Sequence, residues 1–476
     1  MKKNILKYGF VSLLGLGCLT LESCSDWLDV KPKTEVEAED LFSTEEGFKG
    51  ALSGVYTAMN QPSLYGTEMT FGFMDAIAQY WKIGTNHRYT DAVKYEYESV
   101  TTRMIVDDLW SDSYNVIANA NNILAYIDKS SALFTGDNKD IIKGETLAIR
   151  AMMHFDLLRL FTPYDQSGDG IPYVDEITKN VTVSSSPASV LEFIVQDLKE
   201  AAKYLKNDPI LTGRDVTTED DNGYLINRNY HMNYYAVMGL LARVELYAGH
   251  TTEARNYAME VVNAHNNDGK FPWVTREDAN AKEKKLRDRT FSSEHLFALN
   301  IKKLTKYIEP YFTATSRPLL CRLNMFGASE IDFRQNFFEQ PQDVYVANVP
   351  SKLWQFDGSY VDGEFKSPKK DRMPMIRLSE MYYILAECDK ADPAKAIKWL
   401  NEVLIHRGYV EEELLKAEVI DNPEKVQEQI LKEYEREMIC EGQLFFYHKR
   451  MGNQILNDKE VKYVLPKPES ENEFGK

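Results

Sequence analysis

At 476 residues with a formal net charge of -17, the chain is long enough for two or three average domains or for one helical-repeat body, and it can bury a large core. So acidic a surface repels phosphate backbones and anionic headgroups, which argues against nucleic acid and against direct electrostatic membrane binding. Its five cysteines, at 18, 24, 321, 388 and 440, show no paired spacing, so no disulfide framework is expected.

Lys2, Lys3 and Lys7 precede an uncharged stretch from Tyr8 to Leu21, and Leu21-Glu22-Ser23-Cys24 follows. This order reads as a bacterial lipoprotein signal: a basic start, an apolar run shorter than the roughly 20 residues a membrane span needs, and a small residue before a cysteine. Residues 1–23 are expected to be removed as a signal peptide, leaving Cys24 lipidated at the mature N-terminus. Glu22 is unusual in such a cleavage box, and Cys18 after Gly17 is the alternative acceptor; Cys24 is favoured because Glu22 ends the apolar run just before it. An ordinary signal peptide with a chance cysteine is the plainer alternative. Residues 24–38 show no helical period, and Pro32 favours extended backbone before it, so they read as an extended tether. Residues 39–476 read as a single body.

From Leu41 onward the long segments are helical by pattern. Ala51, Leu52, Val55, Tyr56 and Met59 are spaced by three and four, as are Trp110, Tyr114, Ile117, Asn121, Leu124 and Ile127, and then Ile141, Ala148, Ala151, Phe155, Leu158 and Phe161. Tyr230 to Asn263 and Ile376 to Leu404 resemble each other as helix, tight turn and second helix, with Ala242, Ala254, Ala386 and Ala396 as small residues for the crossing. That is the plan of tetratricopeptide-type hairpins. Asn422-Pro423-Glu424 is a cap followed by Pro at the first helical position, and the helix it opens is expected to run to about Glu441-Gly442. The expected fold is mainly α: a TPR-like helical hairpin scaffold over about 39–267 and 371–452, with irregular aromatic-rich insertions.

Two stretches break the helical rhythm, 60–103 and 268–370, both dense in aromatics among Gly, Pro, Asp and Ser. Long irregular segments in a helical body are usually functional or disordered, and aromatic density argues against disorder. Exposed rings with a few polar partners suit a shallow site for sugar C–H faces or peptide side chains. The candidates are Trp81, Asn86, Arg88 and Tyr89 in the first stretch and Tyr307 and Trp354 in the second; the plain alternative is that each ring is simply buried.

Asp165, Ser167 and Asp169, with Gly170 next and Glu176 at the twelfth position, match a calcium loop in letters. Pro172 inside the loop and the Val/Thr/Ser-rich stretch after it favour a structural turn. The eight histidines lack i, i+4 pairing, and no phosphate loop, dinucleotide fingerprint or Gly-x-Ser-x-Gly is present, so no metal or other cofactor is expected. Arg150, Asp156, Arg159, Arg377, Glu380 and Glu387 are expected to make polar contacts between helices.

The chain resembles the SusD/RagB family of outer-membrane nutrient-binding lipoproteins of Bacteroidetes. The likeness is carried by Cys24 to Asp29, by Trp110, Tyr114 and Asn121, by Glu145, Arg150, Phe155, Asp156 and Arg159, by Arg377 with Glu380, by Asn401, Arg407 and Gly408, and by Glu433, Glu437, Glu441, Gly442 and Arg450. Leu444 stands where the family pattern has Arg and Tyr447 where it has Asp, so one local ion pair is not carried over. The resemblance implies a non-enzymatic receptor, lipid-anchored in the outer membrane and facing the cell exterior. It would bind a glycan or an oligopeptide on its irregular segments and deliver it to a SusC-type TonB-dependent transporter. A secreted helical-scaffold glycoside hydrolase, told apart by turnover of a polysaccharide, and a protein-only TPR-like adaptor, told apart by loss of all ligand binding with transporter association intact, are the alternatives.

Overall fold

The computed structural model describes residues 33–312, 319–322, 332–338, 349–353 and 369–474. Residues 1–32, and with them Cys24 and the expected signal peptide and most of the expected tether, lie outside the described residues, as does Trp354.

The first helix, α1 (Lys33–Leu41), corrects the extended tether over residues 33–38. Pro32 immediately precedes it in sequence, a favoured place for Pro, and Ala38 packs on the core while its carbonyl accepts from Phe42 N at 3.0 Å. Then come α2 (Glu45–Met59), α3 (Phe73–Ile77), β1 (Trp81–Lys82), α4 (Val100–Ile127), α5 (Asn138–Phe161), α6 (Pro187–Tyr204), α7 (Pro209–Thr212), α8 (Tyr234–Tyr247), α9 (Thr251–Asp268) and α10 (Arg276–Ala279). The later elements are β2 (His295–Asn300), α11 (Leu304–Phe312), β3 (Leu320–Cys321), β4 (Arg372–Arg377), α12 (Leu378–Cys388), α13 (Pro393–Ile405), α14 (Pro423–Glu437), α15 (Leu444–Met451), β5 (Ile455–Leu456), β6 (Lys459–Glu460) and α16 (Glu469–Phe474).

Both expected hairpins form, as α8/α9 and α12/α13, and α9 packs on α12 so that the two stack. Local chemistry starts the helices. Ser186, Asp392 and Asn422 accept a hydrogen bond from the third residue on, each with Pro at the first helical position, and Asn233 does the same for α8. Gly239 on α8 is required by packing, because a Cβ there would lie 2.8 Å from Ile376 Cγ2 and 3.0 Å from Leu296 Cδ2. Its absence lets the β2–β4 pair, which closes the base of the second irregular stretch, sit against the helix.

The helix from Pro423 ends at Glu437, short of the expected Gly442. Cys440 and Gly442 take left-handed backbone (φ 67° and 69°), and the fully buried Asp75 carboxylate accepts from both their N–H groups, at 2.7 and 3.2 Å. A carboxylate 365 residues away thus satisfies amides that a continuing helix would have paired internally. A Cβ on Gly442 would fall 2.1 Å from Met69 O, so no other residue fits. At the departures, Leu444 is core and the Tyr447 hydroxyl accepts from Gln427 Nε2 at 2.6 Å.

Of the residues expected to make polar contacts between helices, Arg150, Glu380 and Glu387 do so, whereas Asp156 pairs with Arg159 on its own helix and Arg377 lies on β4. Arg150 pairs twice with Asp197 (both bonds 2.7 Å), tying α5 to α6, and Arg243 pairs twice with Glu380 (both 2.7 Å), tying α8 to α12. Glu387 holds Arg450, Tyr65 donates to Asp156 at 2.6 Å, and Arg377 meets Glu437 and Glu441. Arg228 binds Glu145 at 2.5 Å and Asp208 at 2.8 Å.

Burial and these pairs set how stability responds to acid. Burial pushes the imidazoles of His154 down to about 3 and of His448 and His295 down to about 4. Burial would raise Glu145, yet Arg228 and His231 hold it down to about 2. The unfolded chain therefore takes up protons on these histidines before the folded one as pH falls below about 6.5, costing at most about 1.4 kcal/mol per pH unit for each. The stability from Glu145 is full above its ordinary value of 4.5 and drains away toward pH 2. Urea midpoints are expected to fall from pH 7 to 4 and faster below 4.5, although the Asp75 and Glu68 carboxyls, raised by burial, work the other way; imidazole NMR signals that titrate at about 6.5 in the folded protein would show that the histidines are not buried neutral.

Candidate ligand-binding surface

The two irregular stretches meet through a short antiparallel pairing, with Trp81 opposite Cys321 and Lys82 opposite Leu320. Arg322 extends it, its N donating to Tyr80 O at 2.7 Å and its Nε to Trp81 O at 3.0 Å. Helix α11 lies over the junction: Phe312 packs against Phe71 and Trp81, at 5.5 and 5.7 Å between ring centres.

This pairing removes Trp81 from the surface. The ring is 0% exposed and its Nε1 donates to Phe71 O at 2.8 Å, so Trp81 is core rather than a contact ring. Tyr89 is also 0% exposed, with its hydroxyl donating to Glu68 Oε2 at 2.7 Å, and it too leaves the list of direct contacts. Its ring nevertheless neighbours a half-buried one. Tyr311, half-buried, lies nearly parallel to it, at 6.1 Å between centres and 9° between planes.

Arg88 runs alongside, its side chain 46% exposed, with Nη2 3.0 Å from Glu68 Oε1 and Nη1 donating to the Tyr311 hydroxyl at 3.3 Å. His87 is held by a bond from Tyr89 N to its Nδ1 (3.2 Å) and sits 6.2 Å from the Tyr311 ring; burial and then Arg88 lower its pKa. Glu68 is raised above the usual carboxylate range by burial, a shift opposed by Arg88 and by the Tyr89 hydroxyl. Asn86 is exposed two residues before Arg88, and Tyr307 is half-buried one turn before Tyr311, on the same face of α11. The result is a half-buried ring parallel to a buried one, with a guanidinium bonded to its hydroxyl. That arrangement stacks on apolar faces and donates hydrogen bonds.

The calcium loop does not assemble. Asp165 Oδ1 accepts from Ser167 N and Oγ, at 3.0 and 2.6 Å, closing a turn on itself. Lys467 reaches in to donate to Gly170 O at 2.5 Å beside Asp169, Pro172 bridges to Ser184, and Glu176 points to solvent. Among the described residues no group of three or more His, Cys, Asp or Glu is placed to hold a metal, and no helix is long and apolar enough to cross a membrane. A groove of about 680 Å³ runs between α6 and the α8–α9 turn, lined by Leu191, Val195, Lys199, Glu245 and His250, and it holds none of the aromatic candidates.

Residues 213–472 match the model of the SusD family, and residues 26–216 match a model described as starch-binding associating with outer membrane. The chain belongs to the SusD family. SusD-like protein P25 of Formosa agariphila is 24% identical to it over 460 residues, covering 84% of this chain and 81% of that protein. A crystal structure of a SusD superfamily protein from Bacteroides vulgatus aligns with TM-score 0.70 at 21% identity, over 90% of this chain and 97% of that one. A SusD-like carbohydrate binding protein of the same species aligns with TM-score 0.67 at 17% identity, over 91% and 96%. At such identities the structural likeness shows the helical TPR-like SusD fold.

Within this SusD-family frame, Tyr311 is the surface residue that sequence reasoning left out of its candidates, and its signal was present. Lys303, Tyr307 and Tyr311 follow at i, i+4 and i+8, one face of a helix that the irregular composition around it masked. Nothing in the sequence marks Glu68 as the anchor of Arg88.

Proposed function

We propose that this SusD-family chain is a cell-surface lipoprotein, anchored through Cys24 in the outer membrane. It binds a nutrient, a glycan in the first place and an oligopeptide in the second, and passes it unaltered to a SusC-type TonB-dependent transporter. The observation that carries this reading is the half-buried Tyr311 ring, parallel to buried Tyr89 at 6.1 Å between centres, with Arg88 bonded to its hydroxyl. A partly exposed ring held by a neighbouring ring and a guanidinium suits stacking with a donor at its edge. The family, the starch-binding description matched by residues 26–216 and the carbohydrate binding relative support it.

Screening the purified protein on glycan and peptide arrays, then titrating the ligand found, tests the reading. Tyr311→Ala is expected to cost about 1–3 kcal/mol, roughly 5- to 150-fold in affinity, with little change in melting temperature because the ring is only half-buried. Arg88→Ala is expected to weaken binding by a smaller factor. Full affinity in both variants would move the surface elsewhere, and turnover of the ligand would replace the receptor with an enzyme.

The anchor and the partner are tested together in cells. A palmitate analogue is expected to label the native chain and not Cys24→Ala, and mild detergent extraction of the native chain is expected to co-purify a TonB-dependent receptor. Label kept in Cys24→Ala but lost in Cys18→Ala would shift the anchor. Repeated recovery of the chain alone would count against a stable complex.

A further inference from the structure

The chain carries a formal net charge of -17, yet the sign of charge reverses on the approach to the Tyr311 ring. Ile301 N donates to Asp371 O at 2.8 Å and Asn300 stands opposite Arg372, so the end of β2 that leads into α11 lies against the start of β4. This pairing gathers Lys302 and Lys303 with Lys369, Lys370 and Arg372, residues far apart in sequence. Lys370 and Lys302 both lie close enough to Asp371 to lower its pKa, against the burial that raises it. Lys306 follows in the first turn of α11.

Little neutralises these cations. Lys369 pairs with Asp288 at 3.5 Å, but among the described residues Lys302, Lys303, Lys306 and Lys370, all exposed, form no ion pair. The carboxylates of the same segments are Glu309, the one acid of α11, and half-buried Asp371, two against four lysines. The helix does not call for the lysines either: cations at a helix N-terminus oppose its dipole, and no acid stands in the first turn of α11 to offset them. The strip then runs into the rings. Lys303 O accepts from Tyr307 N at 3.2 Å, so Lys303 already belongs to the helical ladder. Lys303, Tyr307 and Tyr311 follow on one face over about 12 Å, at roughly 1.5 Å per residue. Arg88 bonds the Tyr311 hydroxyl at one end. At the other, the Arg372 guanidinium lies 5.7 Å from the ring centre of half-buried Tyr230, a second pairing of ring and guanidinium.

We propose, resting on the glycan-receptor reading, that the ligand of the Tyr311 surface is a polyanionic glycan. Its carboxylate or sulfate groups meet Lys302, Lys303, Lys306 and Lys370, while Tyr307 and Tyr311 stack on its sugar faces. Ammonium groups on flexible stems are point charges that follow anionic substituents along a polymer, and rings take the C–H faces that charged sugars still present, so one strip serves both chemistries. A neutral glycan would leave the lysines with nothing to bind. So acidic a chain repels a polyanion from the rest of its surface, which leaves this strip as the place of attraction.

Titrating the purified chain with polygalacturonate and with dextran sulfate, against neutral dextran and pullulan, tests this. A polyanion is expected to bind about 10-fold or more tightly than either neutral polymer, and the better of the two tells carboxylate from sulfate. Raising NaCl from about 0.05 to 0.3 M is expected to weaken that binding roughly 10-fold, as screening of several charge contacts does. Replacing the exposed lysines together, Lys302→Gln, Lys303→Gln and Lys306→Gln, is expected to cost about 10-fold in affinity at low salt and to flatten the salt dependence, with the melting temperature unchanged. Tyr311→Ala is expected to lower affinity and leave the salt dependence in place. A neutral polymer bound as tightly as the polyanions, and released by Tyr311→Ala, would overturn the polyanion and leave the receptor standing. Polyanion affinity kept in the lysine variant, or kept in Tyr311→Ala, would overturn it as well. Binding of no polysaccharide, charged or neutral, here or on the glycan array, would remove the glycan receptor itself.

Discussion

Glu437→Gln is expected to destabilise the protein by about 3–5 kcal/mol, the cost typical of breaking a buried ion pair from one side. The carboxylate is 0% exposed and accepts from Arg377 Nη1 at 2.5 Å, from Arg407 Nη2 at 2.6 Å and Nε at 3.0 Å, and from Arg334 Nη1 at 3.4 Å. Burial alone would raise its pKa, but Arg407 and Arg377 hold it well below the usual carboxylate range, so it is fully charged at neutral pH. Glu294 and Glu433 share the load, pairing with Arg407 and Arg334 at 2.7 Å each, and Glu441 pairs with Arg377 and Lys352. An amide in place of Glu437 would turn an N–H group toward one of these guanidiniums and strip neutralising charge from a site water cannot reach. A buried network of this kind is weak evidence for high stability, because well-packed apolar residues of equal volume often do as well. Its removal from one side is costly all the same. Urea unfolding at pH 7 checks it, and a loss below about 1 kcal/mol would show that the remaining carboxylates re-pair freely.

Trp81→Ala is expected to cost a comparable 3–5 kcal/mol or so, as large-to-small changes of buried aromatics do. The indole packs on Tyr80 and Phe312, at 5.8 and 5.7 Å, and its bond to Phe71 O would be left unmade. The loss should appear as a lower melting temperature. Ligand affinity, measured well below that transition, should fall less than in Tyr311→Ala. An unchanged melting temperature with affinity lost would return Trp81 to the surface as a contact ring. Tyr311→Ala and Trp81→Ala thus form an opposed pair, one moving affinity and the other stability, although the two residues lie in the same aromatic cluster.

Much of the scaffold was legible in the sequence because helices are specified locally. Asn422 before Pro423 and the apolar spacing of α4, α5 and the two hairpins each need only a few neighbouring residues to be read, and all formed. Family membership was legible for the same reason, since its motifs are short and follow in order along the chain. What tertiary structure alone decided is everything that depends on a distant segment. Helix α14 stops at Glu437 where Asp75 takes up the amides beyond it, and no pattern between 423 and 442 contains that carboxylate. Trp81 is buried because Cys321 pairs opposite it and Phe312 covers it; its own neighbours, rich in Asn, His, Arg and Tyr, read like a binding loop. Tyr311 is only half-buried where the remote Phe71, His87 and Tyr89 meet it, and its identity as a ring gives no sign of that. Periodicity and caps report the backbone within a turn or two, whereas exposure and ion partners are set by whichever remote segment supplies the missing surface or charge.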